Sequence, residues 1–209
     1  MIVSISRFIY DERGGPAAEF AMVLPLLLIF LLGTIDVGRL MWDWNQAEKA
    51  TQMGVRYAVV TDMVPSDLET YSFSVDASIP QGDLIDDTVF GGVSCTGTAS
   101  TATCTCIDNS ACDTAYLSTF DATAFNNIVN RINAFKPDVA AENVVVEYGY
   151  SGLGFAGDPN GPDVAPLVTI RLQNLDFQPL LTQIFGAAIT LPDFSAALTL
   201  EDGEGTYSN

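Results

Sequence analysis

The sequence predicts an α+β protein in which a long N-terminal helix packs on an antiparallel sheet. An uncharged apolar block from Phe20 to Ile35 predicts a helix inside a membrane. Apolar and small residues then recur at steps of three and four from Val37 to Ala58, which is the spacing of an amphipathic helix. Further on, a helical stretch precedes several strand-like runs, an order that favours a sheet packed on a helical spine.

Four segments follow from this pattern. We expect a leader at 1–14, a transmembrane helix at 15–35, an amphipathic stem helix at 36–62 and an acidic α+β domain at 63–209. A helix over 15–35 would be about 31 Å long at about 1.5 Å per residue, which spans one bilayer core. Asp36, Arg39 and Asp43 stand at helical spacings that permit ion pairs along the stem.

The charge is concentrated in the last segment. From Asp62 onward there are 20 acidic residues against three basic ones, which accounts for −17 of the net charge of −18. A field of that sign repels phosphate groups, so we expect no nucleic-acid binding. Arg7 and Arg13 precede the apolar block, and the positive-inside bias then places the N-terminus in the cytoplasm and the acidic domain outside. A cleavable secretory signal is the alternative, although no small-x-small site follows the block.

Glu19 is the one carboxylate near the entrance of the apolar block. A carboxylate in an apolar helix costs about 2.5–3.5 kcal/mol at the centre of a bilayer and less near its edge, so its presence suggests a partner. The alternative is that Glu19, one turn from the helix start, reaches interfacial water and favours the positive helix end. Pro25 removes one backbone hydrogen bond and predicts a kink or a loosened turn.

The composition argues against an enzyme. Histidine, the commonest general base, is absent, and no nucleophile, phosphate loop or dinucleotide motif is recognisable. Acidic residues are numerous, but nothing in their spacing selects a catalytic pair. We therefore expect no catalysis and no cofactor. A membrane-tethered hydrolase remains as an alternative that would require a deep cleft lined by converging carboxylates.

The run RGGPAAEF, followed by AMVLPLLLIFLLGTIDVGRL, resembles the TadE-like family, the pseudopilin-type proteins of tight-adherence (Tad, Flp) pilus systems. The resemblance implies that a prepilin peptidase cuts after Gly14, so that Gly15 becomes the first residue and Glu19 the fifth. Phe20 stands where processed pseudopilins usually have Tyr. A new amino group inside a membrane helix needs a counter-charge, which Glu19 would supply within the chain or to a neighbouring subunit.

The resemblance also implies a function and a set of partners. The protein would be a minor pseudopilin or assembly factor of a Tad-type pilus with a pilin-like fold, in which Glu19 and Pro25 take part in helix packing. Its partners would be other pilins or pseudopilins, inner-membrane pilus assembly proteins, the prepilin peptidase and the lipid bilayer. It would be a single-pass protein of a bacterial inner membrane, with its domain periplasmic or extracellular. The alternative is an uncleaved bitopic protein that presents an extracytoplasmic binding domain.

Four cysteines lie close together in the acidic domain, at Cys95, Cys104, Cys106 and Cys112. Cysteines clustered outside a membrane usually form disulfides, and here two would pin a polar loop at 95–112. Three pairings are possible. Cys104 and Cys106 are too close to pair comfortably, so we expect Cys95 and Cys112 each to bond to one of them. A four-cysteine zinc site is the alternative, although no CxxC pair is present.

The turn-like run GDPNGPD at 157–163 offers hard oxygen ligands for calcium at Asp158, Asn160 and Asp163. The glutamate that completes a standard calcium loop is missing, and the same residues are typical of an ordinary turn. The elements expected in this domain are a strand at 71–79, a helix at 119–135, strands at 143–150, 164–177 and 194–202, and a short helix at 179–188.

Overall fold

The computed structural model describes residues 15–159, 161–183 and 188–201. Its longest element is the helix α1, Gly15–Ala58, which continues through Pro25. The other helices are α2 (Ser66–Thr70), α3 (Ala122–Asn133) and α4 (Leu180–Gln183), with single 3₁₀ turns at Asn109–Ala111, Thr114–Leu117 and Ala141–Asn143. The strands are β1 (Val93–Gly97), β2 (Ala102–Cys106), β3 (Val144–Gly149), β4 (Leu167–Leu172), β5 (Asp176–Phe177), β6 (Ile189–Thr190) and β7 (Phe194–Thr199).

The described residues form two compact units. The helical unit consists of residues 15–42, 177–183 and 188–189, and the sheet unit consists of residues 43–159, 161–176 and 190–201. In the sheet unit five strands pair in the order β2-β1-β3-β4-β7, and each neighbouring pair is antiparallel. The short strands β5 and β6 pair with each other.

The last four turns of α1 pack on this sheet through small side chains. Ala47, Ala50, Gly54 and Ala58 are buried at helical spacing. A Cβ atom on Gly54 would lie 2.8 Å from Cγ1 of Ile132 in α3 and 3.7 Å from Cγ2 of Ile170 in β4. A larger residue at 54 would therefore push the helix away from both neighbours. The predicted α+β fold, with a long helix on an antiparallel sheet, is confirmed.

The central strands follow from β-branched residues in alternation. In β4, Val168, Ile170 and Leu172 point into the core, while Arg171 lies on the other face and bonds Glu147 of β3 at 3.0 Å. Helix α3 is capped by Asp121, the residue before its first turn, whose carboxylate accepts hydrogen bonds from the N–H groups of Thr123 and Ala124. Together these elements bury a single apolar layer between helix and sheet.

Two expectations within the sheet unit were wrong. The expected strand at 71–79 is a series of turns. The N–H groups of Val75 and Asp76 both donate to the carbonyl of Ser72, which closes a turn. The ring of Phe73 packs edge-on against the rings of Tyr71 and Phe90. The cysteine-rich segment, expected as a loop, begins as the β1–β2 hairpin. Cysteine and threonine suit strands, and the Thr98 N–H bonds the Thr101 carbonyl to close the turn.

Candidate membrane segment and its boundary

The first part of α1 is an apolar rod without a protein covering. Every residue from 17 to 31 is exposed, and the exposed set includes Phe20, Met22, Leu26, Ile29 and Phe30. Among the described helices, α1 is the one that is long and apolar enough to cross a membrane. A continuous apolar surface of this size is stable only against lipid or another apolar helix.

Glu19 and Phe20 both lie on the exposed surface of this rod. Within the described part of the chain no cationic group lies within ion-pair distance of Glu19. Gly14 lies outside the described residues, and Gly15 is the first residue of the helix. The carboxylate is therefore presented on the outside of the helix, where a neighbouring molecule can reach it.

At the other end of the apolar block, Asp36 is buried and accepts two backbone hydrogen bonds from a distant part of the chain. Its carboxylate receives the N–H of Leu180 at 2.8 Å and that of Leu181 at 3.0 Å, at the start of α4. One turn before Asp36 in α1, a Cβ atom on Gly33 would lie 3.7 Å from Cδ1 of Leu181. The start of α4 is thereby fixed to α1 within the helical unit.

Arg39 also takes part in this contact between Asp36 and the start of α4, which we call the Asp36 junction. Its Nη1 donates to Asp36 at 3.2 Å and to the carbonyl of Gln178 at 3.4 Å. The guanidinium carbon lies 5.4 Å from the ring centroid of Phe177, which is within cation–π distance. The predicted helical spacing of Asp36 and Arg39 does produce an ion pair, whereas Asp43 pairs with Lys136 instead.

Burial alone would raise the pKa of Asp36. The N–H groups of Leu181 and Leu180 and the Arg39 guanidinium act in the opposite direction and hold the pKa below its ordinary value. Because the folded pKa is lowered, the junction is at full strength above the ordinary aspartate pKa of about 4. It weakens as the pH falls through the lower folded value.

We expect Asp36→Asn to speed hydrogen exchange at the amides of Leu180 and Leu181, because both lose an ionised acceptor. Exchange mass spectrometry of the full chain in detergent at neutral pH measures this. The parent protein should approach the same behaviour below about pH 4, after correction for the intrinsic exchange rate. Asp193→Asn, which changes an exposed aspartate, is the matched control. If the amides of Leu180 and Leu181 exchanged equally slowly in Asp36→Asn and Asp193→Asn, hydrogen bonding of these amides to Asp36 would be contradicted.

The four cysteines form two disulfides, Cys95–Cys104 across the β1–β2 hairpin and Cys106–Cys112 just after it. This is one of the pairings that the sequence left open. The disulfides staple the hairpin and the following 3₁₀ turn, and all four sulfurs are used.

Two of the three calcium candidates lie in a hydrogen-bonded turn. Asp163 is buried, and its carboxylate accepts the N–H of Phe73 at 2.7 Å and the N–H of Asp158 at 2.9 Å. Asn160 lies outside the described residues. Within the described residues no group of three acidic, histidine or cysteine side chains is arranged to hold a metal ion. The carboxylate of Asp163 therefore joins two loops by accepting backbone hydrogen bonds, as aspartate commonly does in turns.

Two surface cavities of the sheet unit show what carboxylates there do. One, of about 420 Å³, contains Asp113, which accepts the hydroxyl of Tyr71 at 2.8 Å and the N–H of Ala115 at 2.9 Å. The Ala115 N–H and then the Tyr71 hydroxyl lower the pKa of Asp113. The other, of about 400 Å³, contains Glu48, which bonds Trp44 Nε1 at 2.7 Å. The lining of the first cavity includes one carboxylate, and that of the second includes two, Glu48 and Asp193, of which Glu48 is bonded to the indole of Trp44.

Sequence reasoning missed the Asp36 junction, because its partners are 144 and 145 residues away along the chain. One signal was available: residues 177–192 contain no charged side chain in a strongly acidic domain.

Comparison with known protein families matches residues 14–56 to the model of TadE-like protein. The matched segment begins at the glycine pair and covers the exposed apolar rod, Glu19, Pro25 and nearly all of the remaining helix. No curated protein and no solved structure matches the chain.

Proposed function

From the match of residues 14–56 to the TadE-like family, we propose that the protein is a minor pseudopilin or assembly factor of a Tad-type pilus. The observation that carries the proposal is the coincidence of the family match with an exposed apolar helix that presents Glu19 on its surface. The helix anchors the chain in a bacterial inner membrane, and residues 63–209 lie on the far side from the arginine-bearing leader.

The mechanism is helix-to-helix packing. Prepilin peptidase cuts after Gly14, the new amino group of Gly15 enters the apolar region, and Glu19 of the same or a neighbouring subunit neutralises it. Pairing the two charges lowers the cost of keeping either one out of water. The exposed side chains around Pro25 then pack against other pilins, pseudopilins or membrane assembly proteins.

We expect the protein extracted from membranes of pilus-forming cells to have the mass of a chain that begins at Gly15. Intact-mass spectrometry measures this directly. Cells that lack the prepilin peptidase provide the control, in which the chain should begin at Met1. A species beginning at Met1 in cells with active peptidase would remove processing from the mechanism and would favour the uncleaved bitopic protein.

A bitopic protein that presents an extracytoplasmic binding domain is the second candidate function. The aromatic cavity around Tyr71 and the disulfide-stapled hairpin favour it, since both would give a rigid exposed surface. The Glu19 experiment in the Discussion separates the two, because only assembly through the helix requires that carboxylate.

A further inference from the structure

A stretch of sixteen residues, 177–192, contains no charged side chain. It lies between Asp176 and Asp193, in the segment that carries most of the net charge of −18. Its composition is apolar, with three leucines, two phenylalanines and two isoleucines. A negatively charged protein is repelled by an anionic membrane surface. A segment without charged side chains can contact that surface because it adds no local Coulomb repulsion.

The described part of this stretch groups with the apolar rod. Residues 177–183 and 188–189 belong to the helical unit together with residues 15–42. Leu181 packs at Gly33, which is two residues inside the end of the apolar block at Ile35, or about 3 Å along the helix axis. The start of α4 is therefore level with the last turn of the span.

Three backbone polar groups at the start of this segment are hydrogen-bonded to α1. The N–H groups of Leu180 and Leu181 bond Asp36, and the carbonyl of Gln178 accepts from Arg39. Backbone groups can enter a membrane interface at low cost only when they are paired in this way. At the same time the side chains of Leu180 and Ile189 remain exposed.

We infer that residues 177–181 and 188–189 form a second contact with the lipid bilayer, lying in the membrane interface beside the end of the span that carries Asp36. The inference rests on the proposed anchoring by residues 15–35 and extends it. Exposed apolar side chains with paired backbone sit at the boundary between headgroups and acyl chains, about 5–10 Å deep.

Three leucines of similar exposure allow a matched test: Leu28 in the apolar rod at 45 %, Leu180 at 36 % and Leu198 on β7 at 40 %. Each is replaced by cysteine in the full chain and labelled with an environment-sensitive fluorophore under non-reducing conditions, so that the disulfides stay closed. The protein is reconstituted in phosphatidylcholine–phosphatidylglycerol vesicles, and quenching by nitroxide lipids and by aqueous iodide is compared. A label at Ile189 is a second reporter if the Leu180 variant folds poorly.

We expect the Leu28 and Leu180 labels to be quenched by nitroxide lipid and shielded from iodide, with the Leu180 label at a depth of about 5–10 Å. The Leu198 label should show the reverse. A Leu180 label that behaves like the Leu198 label, while the Leu28 label stays in lipid, would overturn this inference and leave the anchoring intact. If the Leu28 label is also aqueous, the anchoring itself fails. A Leu180 label shielded from both quenchers would mean that protein covers the segment, which also overturns the inference.

A second variant tests the contribution of the side chain. Leu180→Asp is expected to move an Ile189 label out of lipid, because a charge at residue 180 disfavours the interface. Leu198→Asp is the matched control and should leave the Ile189 label unchanged. Equal lipid quenching of the Ile189 label in both variants would contradict the contact.

Discussion

Replacing Asp43 with alanine is expected to lower the free energy of unfolding of the sheet unit by about 3–5 kcal/mol, the usual cost of leaving a buried charge without its partner. The charge in question is Lys136, whose side chain is 1 % exposed and whose Nζ lies 2.6 Å from Asp43 Oδ1. Its other partner, Asp138, is 3.0 Å away but 66 % exposed, so water weakens that attraction. Asp43 is 21 % exposed and is the carboxylate that shields the ammonium group.

Urea unfolding of the full chain in detergent, followed by tryptophan fluorescence, measures this loss. Trp44 reports on the sheet unit, because its ring packs edge-on against Phe194 with centroids 5.0 Å apart. Asp138→Ala is the matched control and should cost about 0–1 kcal/mol, as exposed ion pairs do.

The double variant Asp43→Ala/Lys136→Met separates a stranded charge from a lost contact. Methionine keeps the buried aliphatic volume and removes the ammonium group, so the double variant should be more stable than Asp43→Ala alone. If adding Lys136→Met instead lowers stability further, the loss in Asp43→Ala does not come from an unpaired lysine. Lys49→Met, at an exposed lysine of α1, controls for the effect of replacing a lysine with methionine.

Local patterns predicted the elements whose residues repeat regularly. The apolar block and the small-residue stripe predicted helices at 15–35 and 36–62, and the structure has one helix, Gly15–Ala58. Short runs rich in apolar residues predicted β3, β4 and β7, and the spacing of Phe125, Ile128 and Ile132 predicted α3. In each case the pattern extends over several residues, so one exception does not change its period.

The features that were missed depend on residues far apart in the chain. Asp43 and Lys136 are 93 residues apart, and Asp36 and Leu180 are 144 apart, so no local period reveals either pair. The alternation of residues at 71–79 was misleading. Phe73 is buried by packing against other aromatic rings, and the backbone N–H groups bond carbonyls within a turn instead of those of a neighbouring strand. The hairpin at 93–106 was missed because its small and polar residues were interpreted as a loop pinned by disulfides. At the candidate site, the match of residues 14–56 to the TadE-like family and the apolar helix were predictable, while the function of Glu19 stays a prediction.

We expect Glu19→Ala to abolish pilus formation while the protein level and membrane insertion stay normal. Removing a counter-charge inside the bilayer costs at most about 2.5–3.5 kcal/mol, the value at the bilayer centre, and so weakens subunit association by up to about two orders of magnitude. Electron microscopy of surface pili and immunoblotting of membrane fractions measure the two quantities. Glu142→Ala, which removes an exposed glutamate from the sheet unit, is the matched control and should leave pili unchanged.

Glu19→Gln distinguishes charge from hydrogen bonding, since the amide keeps the shape and one acceptor but cannot neutralise an amino group. If Glu19 meets the amino group of Gly15, the glutamine variant should fail as severely as the alanine variant. Normal pili in both variants would show that the carboxylate only reaches interfacial water at the positive end of the helix. The helix would then act as an anchor alone, and the bitopic binding protein would become the better account of the chain.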